Sequence, residues 1–270
     1  MKNYGFLKAA VASPKLAVAN PRYNLEEHVK LVRQAAEQQA ALVVFPELSL
    51  TGYTCADLFH QKFLLDSALE ALQELTQQTK GLPIVILAGL PINILDKLYN
   101  CAAVIKEGEI LGIVPKMYLP NYKEYYEKRW FTSGHRISAQ VREVETGGRK
   151  VPFGHLIFQC AAPAFSLGVE ICEDLWMPIP PSAGLSIYGA NIIANLSASN
   201  DLVAKTDYRR ELVLQQSARC VCAYLYASAG VHESTTDVVF SGDCLIAENG
   251  QLLASAERFS RESKLYFADI

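Results

Sequence analysis

The sequence has no run of the roughly eighteen uncharged apolar residues that a membrane-spanning helix needs, so no membrane span is expected. It has little net charge, −3, and no basic cluster interleaved with aromatics. Neither a steering field nor a stacking platform for nucleic acid is therefore present, and nucleic acid is not an expected partner. Its five histidines, at 28, 60, 135, 155 and 232, show no paired ligand spacing, and no metal is assigned. Internal repeats and low-complexity linkers are lacking too, which makes one domain over residues 1–270 the default. The seven cysteines lack the regular spacing of a small secreted scaffold, and an odd count suits a reducing cytoplasm. Cys220-Val221-Cys222 is the one close pair; on a strand its two side chains would point to opposite faces, which argues against a metal site. The N-terminus faintly imitates a signal peptide, but Lys8 interrupts the apolar run, so residues 1–13 read as a first strand.

Half of the 270 residues are apolar, enough to bury one large core. Asn24 reads as a helix cap with Glu27 three residues on, followed by Leu25, Val29, Val32, Ala36 and Ala40 at helical spacing. Ala41 to Phe45 is a buried strand. A second helix presents Leu65, Ala68, Leu72 and Leu75, and a strand from Ile84 to Gly89 follows. Residues 100–105 and 110–114 flank a Glu107-Gly108-Glu109 hairpin turn. The ring-dense stretch Met117 to Phe131 has no clean period and reads as a pocket wall, and the polar stretch Gly134 to Gly154 as a flexible insertion. Ile192 to Ser197 and Ala223 to Ala227 are strands around a helix from Asp207 to Arg219. A hairpin turning at Asn249-Gly250 and a strand from Leu265 to Ala268 close the chain.

The run Ala164 to Ile171 reads as a buried strand that delivers Cys172 at its end, in Glu170-Ile171-Cys172-Glu173-Asp174-Leu175-Trp176. A thiol there is either a small buried hydrophobe or a nucleophile, since a turn after a strand can expose sulfur while aiming N–H groups at the atom it attacks. Glu47, after Pro46, and Lys116 also follow predicted strands. Alone, the first reads as a solvated turn acid and the second as a surface lysine.

The flanking residues decide between these readings. Pro46-Glu47-Leu48-Ser49-Leu50-Thr51-Gly52-Tyr53, Lys116-Met117-Tyr118-Leu119-Pro120-Asn121-Tyr122 with Glu127 to Phe131, and the block around Cys172 resemble the signature blocks of the nitrilase (carbon–nitrogen hydrolase) superfamily. With Asn195 to Asn200, they are most similar to its glutamine-dependent NAD+ synthetase glutaminase branch, along the whole chain. The resemblance implies an α/β fold, a four-layer α/β/β/α sandwich. It implies Cys172 as nucleophile, Glu47 as general base and Lys116 as the cation that stabilises the oxyanion. Glu127 would orient the lysine and substrate amide, or else pair with Lys128 or Arg129 at the surface. Tyr122, Glu173, Ser199 and Lys205 would contact glutamine or serve only in packing, with Tyr53 and Trp176 as walls. Hydrolysis would need no cofactor. ATP and deamido-NAD+ would act at a C-terminal synthetase domain, a partner whose Ser-Gly-Gly phosphate loop does not occur in this sequence, and the assembly would be a homo-oligomer. The alternatives are a stand-alone amidase on a small amide and a non-enzymatic interaction module, against which the three site residues together argue.

Overall fold

The computed structural model describes residues 5–138 and 140–270, so the start of the predicted first strand, Met1 to residue 4, lies outside the described residues. In chain order the elements are β1 (Lys8–Ser13), α1 (Pro21–Glu37), β2 (Leu42–Val44), α2 (Lys62–Gln78), β3 (Val85–Ile94), β4 (Lys97–Lys106) and β5 (Glu109–Pro115). A hairpin of β6 (Glu143–Thr146) and β7 (Arg149–Pro152) comes next. The second half holds β8 (Ile157–Ala161), β9 (Ala164–Ile171), α3 (Pro181–Ile187), β10 (Ile192–Ser197), α4 (Lys205–Cys220), β11 (Ala223–Ser228), β12 (Leu245–Glu248), β13 (Gln251–Ser255) and β14 (Lys264–Asp269).

Two six-stranded sheets form, in the orders β14-β1-β2-β3-β4-β5 and β13-β12-β11-β10-β9-β8. Period-2 alternation sorts each strand's side chains between two cores. Ala9, Val11, Leu42 and Val44 meet Val169, Ile171, Ala194, Leu196 and Leu225 between the sheets. Ala10, Val43 and Ile86 face Leu25, Val32 and Leu72 of α1 and α2. On the other side Ile193, Tyr224 and Ala247 face Leu185 of α3 and Val213 of α4. The layers are therefore helices, sheet, sheet, helices, the predicted sandwich, and β1, β2, β3 and β9, β10, β11 run parallel at its centre. No described helix is long and apolar enough to cross a membrane.

Several local expectations are corrected. Helix α1 starts earlier than expected, because Asn20 caps it by accepting from the Tyr23 N–H (3.2 Å) and Pro21 supplies a preset φ at its first position. Asn24 is inside the helix, buried, accepting from the Ala17 N–H at 2.8 Å and donating to the carbonyls of Ala17 and Leu50. β3 continues past Gly89 to Ile94 and pairs with β4 from Ile86 to Ile94. Within 134–154 the chain builds the β6–β7 hairpin, whose Val144 and Val151, with Phe153, join the core under the first sheet. Their two-residue alternation is the signal that the polar composition hid. Cys220 ends α4 and Cys222 lies just before β11, after Val221 turns left-handed (φ 50°), so both cysteines face the same outer core instead of opposite sides.

Candidate active site

Glu47, Lys116 and Cys172 each follow the carboxyl end of a strand, β2, β5 and β9, two from one sheet and one from the other. Glu47 is fully buried, and its N–H donates to the Ser197 carbonyl across the gap between sheets (3.3 Å). The next residue, Leu48, is left-handed (φ 51°), a cost a non-glycine residue accepts only where surroundings impose it. Gly89 shows one such constraint: a Cβ there would stand 2.3 Å from the Leu48 nitrogen and 2.8 Å from the Pro46 oxygen. The bare glycine lets the Pro46–Leu48 backbone lie directly on β3.

Lys116 is buried among acceptors, its Nζ donating to Glu47 Oε1 at 2.6 Å and to Glu127 Oε1 at 2.7 Å. Glu127 is therefore an interior acid and does not form the surface pair with Lys128 or Arg129; Arg129 instead pairs with Asp57. The Asn100 amide donates to Glu47 Oε1 (2.6 Å) and the Tyr53 hydroxyl to Glu127 Oε1 (2.8 Å). Burial opposes the Lys116 charge, but Glu127 and Glu47 outweigh it and hold the ammonium well above its usual range. Two carboxylates share one ammonium. Burial, joined by the Glu47 charge and opposed by Lys116, pushes Glu127 up to about 7.

Cys172 lies close enough to Lys116, Glu47 and Glu127 to feel all three charges. Its φ is +46°, left-handed, and it begins a 3₁₀ turn that runs to Trp176. The Cys172 N–H donates to Asn195 Oδ1 (3.0 Å), which fixes the turn to β10. Burial and the Glu47 charge, opposed by Lys116, push the thiol far up, so it rests protonated and needs a base. Glu47 Oε2 accepts no hydrogen bond from the described residues and is buried, leaving that oxygen to take a proton.

The thiol opens into a cavity of about 230 Å³ whose lining includes Tyr122, Glu173, Trp176, Ser199 and Lys205. The Tyr122 hydroxyl donates to both Glu173 oxygens at 3.0 Å. Lys205 Nζ sits 5.1 Å from the Trp176 ring centroid and donates to Asn200 Oδ1. All four expected glutamine contacts thus share one cavity with Cys172. Tyr53, expected as a wall, is instead a hydrogen-bond donor to Glu127.

Residues 8–270 match the carbon–nitrogen hydrolase family model. The chain belongs to the carbon–nitrogen hydrolase family. Over 269 residues it is 40% identical to the glutamine-dependent NAD(+) synthetase of Mycobacterium tuberculosis, covering 99% of this chain and 39% of that protein. The Thermotoga maritima glutamine-dependent NAD(+) synthetase is 33% identical over 241 residues, 88% of this chain and 38% of that one. The chain therefore spans about two fifths of the length of these curated relatives. Among solved structures, a glutamine-dependent NAD(+) synthetase from Cytophaga hutchinsonii superposes with a TM-score of 0.86 at 28% identity, over 98% of this chain and 43% of that one. An amidase from Nesterenkonia sp. AN1 in complex with acrylamide shares the fold, with a TM-score of 0.78 at 17% identity over 100% of this chain and 92% of that one.

In this carbon–nitrogen hydrolase the sequence reading missed Asn100 and the hydrogen-bonding role of Tyr125. Asn100 opens the apolar run of β4, and a lone amide in a buried strand was its one available signal. The Tyr125 hydroxyl donates to Asn200 Oδ1 (2.9 Å) and receives the Asn200 N–H, tying the aromatic stretch to the loop after β10.

Proposed function

We propose that this chain hydrolyses the side-chain amide of glutamine through a cysteine thioester, and that the ammonia serves amidation of deamido-NAD+ at an ATP-using synthetase domain. One observation carries the substrate assignment: the cavity that reaches Cys172 has charges of both signs in its wall, the cations Lys123 and Lys205 and the acids Glu124 and Glu173. That pairing suits a small zwitterionic amino acid better than a simple neutral amide, and about 230 Å³ is below the usual range for drug-sized ligands. The named relatives support the same reading.

The chemistry follows from the resting state. Cys172 gives its proton to Glu47 Oε2 as sulfur attacks the amide carbon, so the proton moves within the cluster without changing its total charge. The oxyanion forms beside Lys116 and the Glu173 N–H, a first-turn amide with no acceptor one turn back. Collapse expels ammonia, which takes the proton held by Glu47. Water then attacks the thioester, Glu47 accepts its proton, and glutamate leaves as the thiol re-forms. Glu127 keeps the ammonium aimed at the oxyanion throughout. No cofactor enters this sequence of steps.

The test is release of ammonia and glutamate from glutamine, compared with asparagine and simple aliphatic amides. A kcat/KM for glutamine at least about a hundredfold above the others supports the reading. Equal turnover of acetamide-like substrates would favour the stand-alone amidase.

A further inference from the structure

Resting on that reading, we infer that Asp174 is a positioning residue that holds Lys116 and the Cys172 turn in register. Asp174 is buried, two residues after Cys172 on the same 3₁₀ turn. Its Oδ2 accepts from the Ile171 N–H, immediately before the nucleophile, at 2.9 Å. Its Oδ1 accepts from the Met117 N–H (3.2 Å) and the Tyr118 N–H (2.8 Å), immediately after Lys116. One carboxylate therefore bridges the chain segments that carry the cation and the thiol, which come from opposite sheets.

The shorter bonds divide between the two oxygens, Oδ2 to Ile171 and Oδ1 to Tyr118 and Met117, with the Met117 N–H also 3.5 Å from Oδ2, and it is this joining of two segments by one carboxylate that makes Asp174 more than a buried polar group. The first oxygen opposes relaxation of a left-handed cysteine toward ordinary backbone; the second ties that cysteine to the segment on which Lys116 hangs. An amide in its place keeps one acceptor only. Its Nδ2 would face either the Ile171 N–H or the pair from Met117 and Tyr118, donor against donor, so one tie must open. Hydrolysis needs thiol and ammonium on the same carbonyl at once, whereas alkylation of the thiol by a haloacetamide builds no oxyanion. A lost tie should therefore harm the first reaction far more than the second.

The experiment measures glutamine hydrolysis and Cys172 alkylation by fluoroacetamide side by side in the wild-type chain and in Asp174→Asn, with thermal unfolding as the check on folding. We expect kcat to fall about a hundredfold with KM within about threefold, and the alkylation rate to stay within about threefold. A second variant replaces the Tyr118 N–H by an ester oxygen, which removes that donor, keeps every side chain and only weakens the Met117 carbonyl that accepts from Ser133; it should show the same split at about tenfold. Equal losses in both reactions, unchanged kcat, or failure of Asp174→Asn to fold together with an unaffected ester variant would each overturn the proposal. Wild-type protein that alkylates but does not hydrolyse glutamine would instead refute the glutaminase reading, and the split would then be measured on whichever amide it does hydrolyse.

Discussion

The floor of the site and its wall are built on different terms. On the floor, Glu47, Lys116, Glu127 and Asn100 are each at most 1% exposed and hold one another at 2.6–2.7 Å, the first two from strand ends, Glu127 from a 3₁₀ turn and Asn100 from within β4. On the wall, Tyr122 is 51% exposed, Val203 stands fully in solvent, and Lys205 and Ser199 come from the loop after β10 and the start of α4. The floor is a closed charge cluster in which each group's state depends on its neighbours, so it fixes chemistry. The wall is more open, its groups are tied only pairwise, as Tyr122 is to Glu173 and Lys205 to Asn200, and it fixes which molecule is bound.

If that division holds, floor substitutions change kcat and wall substitutions change KM. The largest effect belongs to Cys172→Ala, expected to remove at least about ten-thousandfold of the turnover while the fold survives, as unfolding curves would report. Glu47→Gln should cost about a thousandfold in kcat. Lys116→Met should match it and also lower stability by about 3–5 kcal/mol, because it strands two buried carboxylates without their cation. Both are read from steady-state kinetics and denaturant melts. A change confined to KM would move either residue from floor to wall.

The pH dependence of stability sharpens the floor's electrostatics. Burial raises Glu127 from 4.5 to about 7 in the folded chain, so the folded state binds an extra proton between those values. This contribution is fully present below about 4.5 and is lost as pH rises through the raised folded value. Glu127→Gln, which cannot ionise, should flatten that slope in melting temperature against pH. An unchanged slope would show that the acid is not held neutral by burial.

Smaller effects are expected on the wall. Lys205→Met should raise KM for glutamine about ten- to a hundredfold with kcat nearly unchanged, and Tyr122→Phe about threefold. A wall variant that lowered kcat alone would break the division between binding and chemistry.

This contrast also governed what could be read from the chain. The sandwich was legible because β2, β9 and β10 are short apolar runs set apart by helical patterns, and Cys172, Glu47 and Lys116 stood out by following such runs. Glu127 could not be placed from its neighbours, since Lys128 and Arg129 offered equally good partners and only the chain's return beneath Tyr53 takes it inside. Asn100 and Asp174 act through contacts with residues 53 and 57 positions away, which no local pattern carries. The β6–β7 hairpin was misread because charged residues outnumber the two valines that anchor it.

The most direct test of the central claim is rapid acid quench of the wild-type chain during glutamine turnover, followed by peptide mass spectrometry. A thioester mechanism predicts a γ-glutamyl mass on the peptide containing Cys172, formed and lost at rates compatible with turnover, and absent in Cys172→Ala. Glutamate released with no adduct, or an adduct on another of the seven cysteines, would contradict it.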